Sequence, residues 1–594
     1  MGASRWCCGL GAVAGILAVL LCPGAVRAWP MPDSGQVGCY GESGEISCPL
    51  GPDSFYGQDA TYNINPPSYV KLDLDGNELD ESAPVWASVR DRVTGLVWEA
   101  KGSRNGIKDY ANPNDADNTY TWYDPDAETN GGNEGVAGDG TDTRDFIQDM
   151  NAAGYGGYTD WRLPTNRELM TLFHPGQSAP LTDVAFFPET KIGEYWSSTT
   201  YAYPGMESQA WYLDFYFGCL YRSAKSGGKY VRAVRGPTER VRGRFVDNGD
   251  DTVTDTMAGL MWGPTSDTQK TWEHALSHCE TLAHAGYGDW RLPNIKELVM
   301  LADFSRTSPG ADPAWFPDTE TAIYWSSTTN HRFFTEAWRV DFGDGNTGGL
   351  AKTYARWVRP VRGGQNVRPG HPRLTSPTQG SLWEKGSSMP ITWETAGLGG
   401  NVQIGISRQG GVPDTFDVIA TTANDGEYTW TVDGVSSVNC VLRIVSDTDP
   451  GEMAEQGLFS ILGLAVTGRV VADVAGHAGL RVRDATVVLT SATGGTAEAW
   501  TDQNGDFRFY NTPEGDYTLC VSSAGLVLDC QIVSVVSGQL LDLGLLTPMQ
   551  PGAGDCRAEV AAERARWDAD GDGAKGLAEA MEALQVVSSL RQDP

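Results

Sequence analysis

Basic residues are scarce in this 594-residue chain, where 44 Lys and Arg stand against 76 Asp and Glu for a formal charge of −32. Generic attraction to nucleic-acid phosphate or to an anionic membrane is therefore disfavoured. Histidine is scarcer still, with seven residues. No HExxH, GxSxG, P-loop or GxGxxG unit stands in a context that supports zinc hydrolysis, acyl transfer or nucleotide binding. His274 and His278 have helical i, i+4 spacing but no glutamate of the zinc motif between them, so a helix surface is the reading they support. No two cysteines stand in CxxC spacing, which removes the basic pattern of a thioredoxin-type centre or a cysteine-rich zinc site. Beyond the first residues, no apolar run approaches the roughly 20 residues that a bilayer crossing needs. No catalytic residue is assigned on these grounds, although carboxylates are abundant enough to keep a glycan-processing hydrolase as an alternative.

What is present begins with an address. Arg5, the apolar run from Leu10 to Leu21 and the small-x-small triplet Val26-Arg27-Ala28 read as a secretory signal peptide over residues 1–28, which places the protein outside the cell or on its surface. Three of the 11 cysteines fall in that segment. Export permits pairing of the rest, and the near neighbours Cys39/Cys48 and Cys520/Cys530 are the candidate disulfides. Partners for Cys219, Cys279, Cys440 and Cys556 are not readable. The 72 Gly and 32 Pro favour short strands and many turns over long helices, while 20 Trp argue for folded cores.

The first half repeats itself. Val93-Thr94-Gly95-Leu96-Val97-Trp98, Asp160-Trp161-Arg162-Leu163-Pro164, Tyr195-Trp196-Ser197-Ser198-Thr199-Thr200 and Val231-Arg232-Ala233-Val234-Arg235-Gly236 recur in order. Their counterparts are Met257-Ala258-Gly259-Leu260-Met261-Trp262, Asp289-Trp290-Arg291-Leu292-Pro293, Tyr324-Trp325-Ser326-Ser327-Thr328-Thr329 and Val358-Arg359-Pro360-Val361-Arg362-Gly363. Trp161 to Trp290 and Trp196 to Trp325 are both 129 apart, whereas Trp98 to Trp262 is 164, so the first copy carries 35 extra residues, expected near 101–142. Thr165 and Asn294 are expected N-caps, with Glu168 and Glu297 completing capping boxes three residues later. The recurring Trp161, Trp196, Trp290 and Trp325 are expected in the core. The Asp/Asn/Gly-rich insertion offers Tyr120, Trp122 and Tyr123 as candidate ligand-stacking aromatics, in a composition suited to sugar or Ca²⁺ binding or to a solvated loop.

These four blocks resemble the Lcl C-terminal domain family, named for the terminal domain of a bacterial collagen-like surface adhesin. The resemblance spans about residues 85–363. It implies a compact α+β fold of the C-type-lectin-like superfamily and recognition of a glycan. Family members often carry Cys where Ala233 and Pro360 stand here, a departure that leaves Cys279 without its usual partner.

The second half reads as β modules. Ile391-Thr392-Trp393, Val402-Gln403-Ile404-Gly405-Ile406, Tyr428-Thr429-Trp430 and Cys440-Val441-Leu442 are short strands between turns, and they resemble the immunoglobulin-like Ser-Thr-rich GPI-anchored domain family. Val466-Thr467-Gly468-Arg469, Asp502-Gln503-Asn504-Gly505-Asp506 and Pro513-Glu514-Gly515-Asp516-Tyr517 resemble a carboxypeptidase regulatory-like domain, a spacer without catalytic groups. Near the C-terminus Asp568, Asp570, Asp572 and Glu579 occupy positions 1, 3, 5 and 12 of an EF-hand-like loop, with Gly573 at position 6 and the Ala574 carbonyl at position 7, so Ca²⁺ is the expected cofactor.

The sequence thus predicts a multidomain protein of tandem α+β lectin-like domains, two all-β sandwiches and a short helical EF-hand-like end. Its expected parts are an N-terminal segment 29–84, repeats 85–237 and 238–363, a linker 364–377, sandwiches 378–462 and 464–548, and a calcium segment 556–594. The expected function is non-catalytic binding or adhesion to a glycan or cell-surface ligand, with a purely structural scaffold as the other alternative.

Overall fold

The computed structural model describes residues 30–49, 53–102, 104–127, 129–236, 244–364, 372–474, 477–482, 485–492, 494–502, 504–523, 526–527, 530–536, 539–546 and 590–591. The signal-peptide segment, Cys556 and the calcium-loop residues Asp568, Asp570, Asp572, Ala574 and Glu579 lie outside the described residues. The protein is multidomain and mostly β-sheet, with four α-helices among the described residues.

Each repeat builds the same two sheets. In the first, Tyr69–Leu72, Ser88–Asp91, Val97–Glu99 and Val234–Arg235 form an antiparallel four-stranded sheet, and Glu194–Thr200, Gln209–Asp214 and Leu220–Ala224 a three-stranded meander. In the second, Phe245–Asp247, Val253–Asp255, Leu260–Trp262 and Val361–Arg362 answer the first set, and Ile323–Thr329, Glu336–Asp341 and Thr347–Ala351 the second. Helices α1 (Thr143–Ala152) and α2 (Asn166–Leu172) belong to the first repeat, α3 (Trp272–Glu280) and α4 (Ile295–Leu301) to the second.

The DWRLP block sets up α2 and α4. Proline stops the preceding extended chain, and the next residue caps the helix. Thr165 Oγ1 accepts from Glu168 N, and Asn294 Oδ1 from Glu297 N; in both cases the glutamate reaches back to the cap N–H, closing a capping box. The same glutamates hold the arginine of the block in bidentate pairs, Arg162–Glu168 and Arg291–Glu297, each at 2.7 and 2.6 Å. Trp161, Trp196, Trp290 and Trp325 are buried.

Every residue of α2 and α4 is buried because the repeats pack on each other through these helices. The contacts are reciprocal. Arg167 of α2 donates to the Ala302 carbonyl, while the equivalent Lys296 of α4 donates to the Thr171 carbonyl at 2.9 Å. Trp211 meets Phe304 edge-on at 5.2 Å, and its counterpart Trp338 meets Phe173 at 5.1 Å. One hydrophobic core, from Val89 and Trp98 to Phe342 and Val361, runs through both repeats. A patch that contacts its own copy in this exchanged fashion is the arrangement of a two-fold dimer.

The insertion is not one piece. Tyr120 and Trp122 are part of the repeat, in the places of Lys270 and Trp272. The Trp122 indole N–H donates to the Ser197 carbonyl and that of Trp272 to the Ser326 carbonyl, both at 2.8 Å. The Trp196 indole donates to the Tyr120 carbonyl at 2.9 Å and that of Trp325 to the Lys270 carbonyl at 3.0 Å. Trp98 to Trp122 is 24 residues against 10 from Trp262 to Trp272, so 14 of the 35 extra residues precede Trp122 and 21 follow it.

Two β-sandwiches follow. In the first, Arg373–Ser376, Ser388–Glu394 and Glu427–Thr431 face a five-stranded sheet containing Asn401–Ser407, Ser437–Ser446 and Met453–Leu462, around Trp383, Trp393 and Trp430. In the second, Leu464–Val474 pairs with Asp506–Tyr510 and Leu541–Leu546 opposite the sheet centred on Thr486–Ser491 and Gly515–Ser523. The first sandwich is seated on the second repeat: Met261 and Trp290 pack with Val441 and Leu458. Gln379 Nε2 also donates to the Ala258 and Gly259 carbonyls at 2.7 and 2.9 Å. Gly259 has φ +63°, and a Cβ there would run into Gln379 and the Leu458 carbonyl, so this close approach requires glycine. Disulfides join Cys39 to Cys48 and Cys520 to Cys530, while Cys219, Cys279 and Cys440 are free thiols.

Candidate functional site

The structure corrects the choice of Tyr120 and Trp122 as ligand-stacking aromatics. Both are 1% exposed and sit in a core with Phe146, Met150 and Trp196. Their places in the repeat explain this: both rings pack into that core, the Trp122 indole N–H is spent on the Ser197 carbonyl, and the Tyr120 hydroxyl accepts from Asn118 Nδ2. Tyr123 is half-buried beside them, its backbone tied to the Thr143 hydroxyl. Several of the insertion's carboxylates are spent on its own turns and on a helix cap. Asp117 accepts from Asn105 N and Gly106 N at 2.8 and 2.7 Å and pairs with Lys191. Asp124 accepts from Asp126 N and the Thr129 hydroxyl. Asp142 caps α1, accepting from Arg144 N and Asp145 N at 2.9 Å. Acid and asparagine side chains folding their own loops account for this composition. Among the described residues no cluster of three or more His, Cys, Asp or Glu is placed to hold a metal.

Exposed aromatics lie instead at the seam between the repeats. Phe217, in the hairpin between Gln209–Asp214 and Leu220–Ala224, is 59% exposed, and Phe333, beyond Ile323–Thr329, is 55% exposed. They flank a pocket of about 140 Å³, lined also by Pro175, Cys219, Asn330, His331, Arg332, Glu336 and Trp338. Phe217 sits on a turn made possible by Gly218, which has φ +75° and no room for a side chain against Phe173 and Trp338. Arg332 donates to the Tyr216 carbonyl at 2.8 Å with its guanidinium 4.6 Å from the Tyr216 ring centre. This contact ties the two repeats together at the rim. Asn330 Nδ2 donates to Glu336 Oε2 at 3.2 Å. A Cβ on Gly349 would collide with that carboxylate.

The pocket therefore combines two apolar ring faces, an amide, a carboxylate and a guanidinium. Ring faces accept the apolar side of a sugar or peptide, and the polar groups accept or donate to its hydroxyls. Nucleophilic chemistry has little support there. Burial pushes the Cys219 thiol up to about 11, which keeps it protonated at neutral pH. Burial also lowers the basicity of His331 below the ordinary histidine value. Neither phenylalanine stands in a repeated block, so pattern comparison could not select them; the signal available was an aromatic next to a turn glycine, Phe217-Gly218.

Residues 87–235 and 251–362 match the family model of the Lcl C-terminal domain. The chain carries two Lcl C-terminal domains. Residues 465–544 match the carboxypeptidase regulatory-like domain, which places the second sandwich. No curated protein matches the chain. Among solved structures, the chain is similar to the minor pilin GBS52 of Streptococcus agalactiae, at 13% identity and a TM-score of 0.13, over 26% of this chain and 84% of that one. It is also similar to the major pilin subunit BcpA of Bacillus cereus, at 10% identity and a TM-score of 0.13, over 36% of this chain and 85% of that one. The pocket with Phe217 and Phe333 lies where the two Lcl C-terminal domains meet, so each domain supplies one wall.

Proposed function

We propose that this is an exported, non-catalytic binding or adhesion protein, whose paired Lcl C-terminal domains recognise a glycan or cell-surface ligand in the pocket between Phe217 and Phe333. The observation that carries this reading is the exposure of those two rings beside Asn330, Arg332 and Glu336. Large apolar side chains left open around convergent polar groups are the composition of a recognition site. In this reading the Lcl C-terminal domains have a C-type-lectin-like fold. The first sandwich is a Ser-Thr-rich, immunoglobulin-like spacer and the second a regulatory-like spacer, together holding the binding pair away from a Ca²⁺-loaded, EF-hand-like end. The signal peptide supplies the route outward, and no helix among the described residues is long and apolar enough to cross a membrane. The net charge of −32 speaks against nucleic acid as a partner.

The test is a glycan array probed with the full chain and with Phe217→Ala and Phe333→Ala. The expected result is binding to a defined glycan set, weakened at least tenfold by either substitution. Equal binding by both variants would remove the pocket from the proposal, and an empty array at millimolar Ca²⁺ would remove the glycan.

A further inference from the structure

The two repeats carry the same Ser-Ser-Thr-Thr strand end, yet one copy is fully covered and the other only in part. Ser327, Thr328 and Thr329 are 2%, 0% and 0% exposed, whereas Ser198, Thr199 and Thr200 are half-buried. The adjoining arginine follows suit: the Arg291 side chain is 6% exposed and that of Arg162 27%. The difference is a segment of the chain that precedes the repeats. Asp59 accepts from the Thr328 hydroxyl at 2.5 Å. The Gln36 side-chain amide donates to the Thr329 carbonyl at 2.7 Å and accepts from Thr329 N at 3.0 Å. Asp33 accepts from Ile64 N at 2.9 Å and from Asn294 Nδ2 at 3.5 Å, and the Tyr62 ring lies 5.8 Å from the Arg291 guanidinium. The second repeat thus holds two carboxylates and an amide, those of Asp33, Asp59 and Gln36, from a segment that belongs to this protein.

The first repeat carries the same strand end in the same register, Thr200 standing opposite Ala210 as Thr329 stands opposite Ala337; the Thr200 hydroxyl is taken by the Asn130 carbonyl at 3.1 Å, which leaves Ser198 and Thr199. Without a carboxylate to receive it, the Thr199 hydroxyl turns to Asn166 Oδ1 at 3.3 Å. Asn166 is 2% exposed, and its Nδ2 has no acceptor, a cost that a bound acceptor would remove. The geometry points to the partly open face formed by Arg162, Ser198 and Thr199, with Asn166 beneath it, as a docking site for a carboxylate-bearing peptide segment of a partner protein. The partner would be held as the second repeat holds Asp33–Gln36 and Asp59. Arg162, paired with Glu168, offers the guanidinium face that Arg291 turns to the Tyr62 ring, and the strand end supplies hydroxyl and backbone groups. This site is separate from the pocket between Phe217 and Phe333.

The experiment uses the full chain and a fluorescent synthetic peptide of residues 56–63, which carries the Asp59 that meets Thr328, read by anisotropy at fixed salt. Saturable binding is expected, weakened at least tenfold by Thr199→Val in the protein or by Asp59→Ala in the peptide, with thermal melts showing that the Thr199 variant stays folded. No saturation at millimolar peptide, or equal binding by Thr199→Val, overturns the site. Loss of binding in Thr328→Val but not in Thr199→Val would mean that the peptide merely exchanges with the resident segment, and would also overturn it. Sedimentation showing a dimer of the full chain that Thr199→Val abolishes would replace the partner peptide with a second copy of this chain.

Discussion

The ammonium group of Lys225 lies 4.0 Å from the centre of the Trp122 ring, and Lys352 lies 3.9 Å from that of Trp272. Each lysine also accepts, through its backbone carbonyl, from the N–H of the tryptophan it covers, at 2.9 and 3.0 Å. A cation held against a desolvated indole is favourable, and finding it twice marks Trp122 as a structural member of its repeat. Trp122→Ala should therefore cost about 3–5 kcal/mol of stability, as for other buried tryptophans. Urea denaturation checks this; a variant with wild-type stability and reduced ligand binding would restore Trp122 as a binding residue.

The bidentate pairs predict an asymmetry. Arg291 and Glu297 are 6% and 4% exposed, whereas Arg162 is 27% exposed over a fully buried Glu168. Removing one partner of a buried pair costs about 3–5 kcal/mol because the other charge is stranded. Arg291→Ala should reach that range, and Arg162→Ala should cost less, about 1–3 kcal/mol, because water can replace the guanidinium. Chemical denaturation of the two variants gives the order directly, and a larger loss for Arg162→Ala would contradict the burial argument.

Docking of the segment before the repeats should depend on pH. Burial raises the pKa of Asp59 to about 6 and that of Asp33 well above the ordinary carboxylate value, and the nearby Glu297 pushes both further up while Lys296 pulls Asp33 down. Asp59 binds its proton more tightly folded than unfolded, so its contribution is complete below about pH 4 and is lost as pH rises through about 6. Lys352, which donates to the Tyr40 carbonyl at 3.4 Å and is lowered to about 7 by burial, acts in the opposite sense as pH falls. Hydrogen exchange over residues 30–66, corrected for the intrinsic rate, should show more protection at pH 4.5 than at pH 6, a window below the titration of Lys352 and of Lys296, which burial lowers to about 8. Asp59→Asn should shrink that difference; an unchanged difference would assign it elsewhere.

Calcium gives the fourth prediction. Calorimetry on the full chain should show one Ca²⁺-binding event that Asp568→Ala removes, because position 1 of such a loop supplies a direct carboxylate ligand. Heat that survives the substitution would place the ion elsewhere.

Local chemistry was legible in the sequence, and long-range chemistry was not. Thr165 with Glu168 and Asn294 with Glu297 form their capping boxes from four residues each, so a short window contains the whole instruction. The Thr-Trp pair at 121–122 escaped as a repeat element because it matches 271–272 by only two residues inside different surroundings. Its role rests on a carbonyl 75 residues away, that of Ser197. The covering of Thr328 by Asp59 spans 269 residues, and no periodicity reports such a contact. Phe217 and Phe333 are illegible for the opposite reason: exposed at 59% and 55%, they stand outside the pattern that core packing imposes.

The reciprocal packing of α2 against α4 has a further meaning for how this protein is divided. A helix buried on every side has no face of its own to offer water, so neither half of the pair can be cut out as a working unit. The two halves behave as a dimer whose subunits have been joined in one chain. The joining gives each a permanently high effective concentration of the other. It also releases them from identity, since a true homodimer must change both surfaces at once. Here one half could accept a covering segment while its twin stayed uncovered.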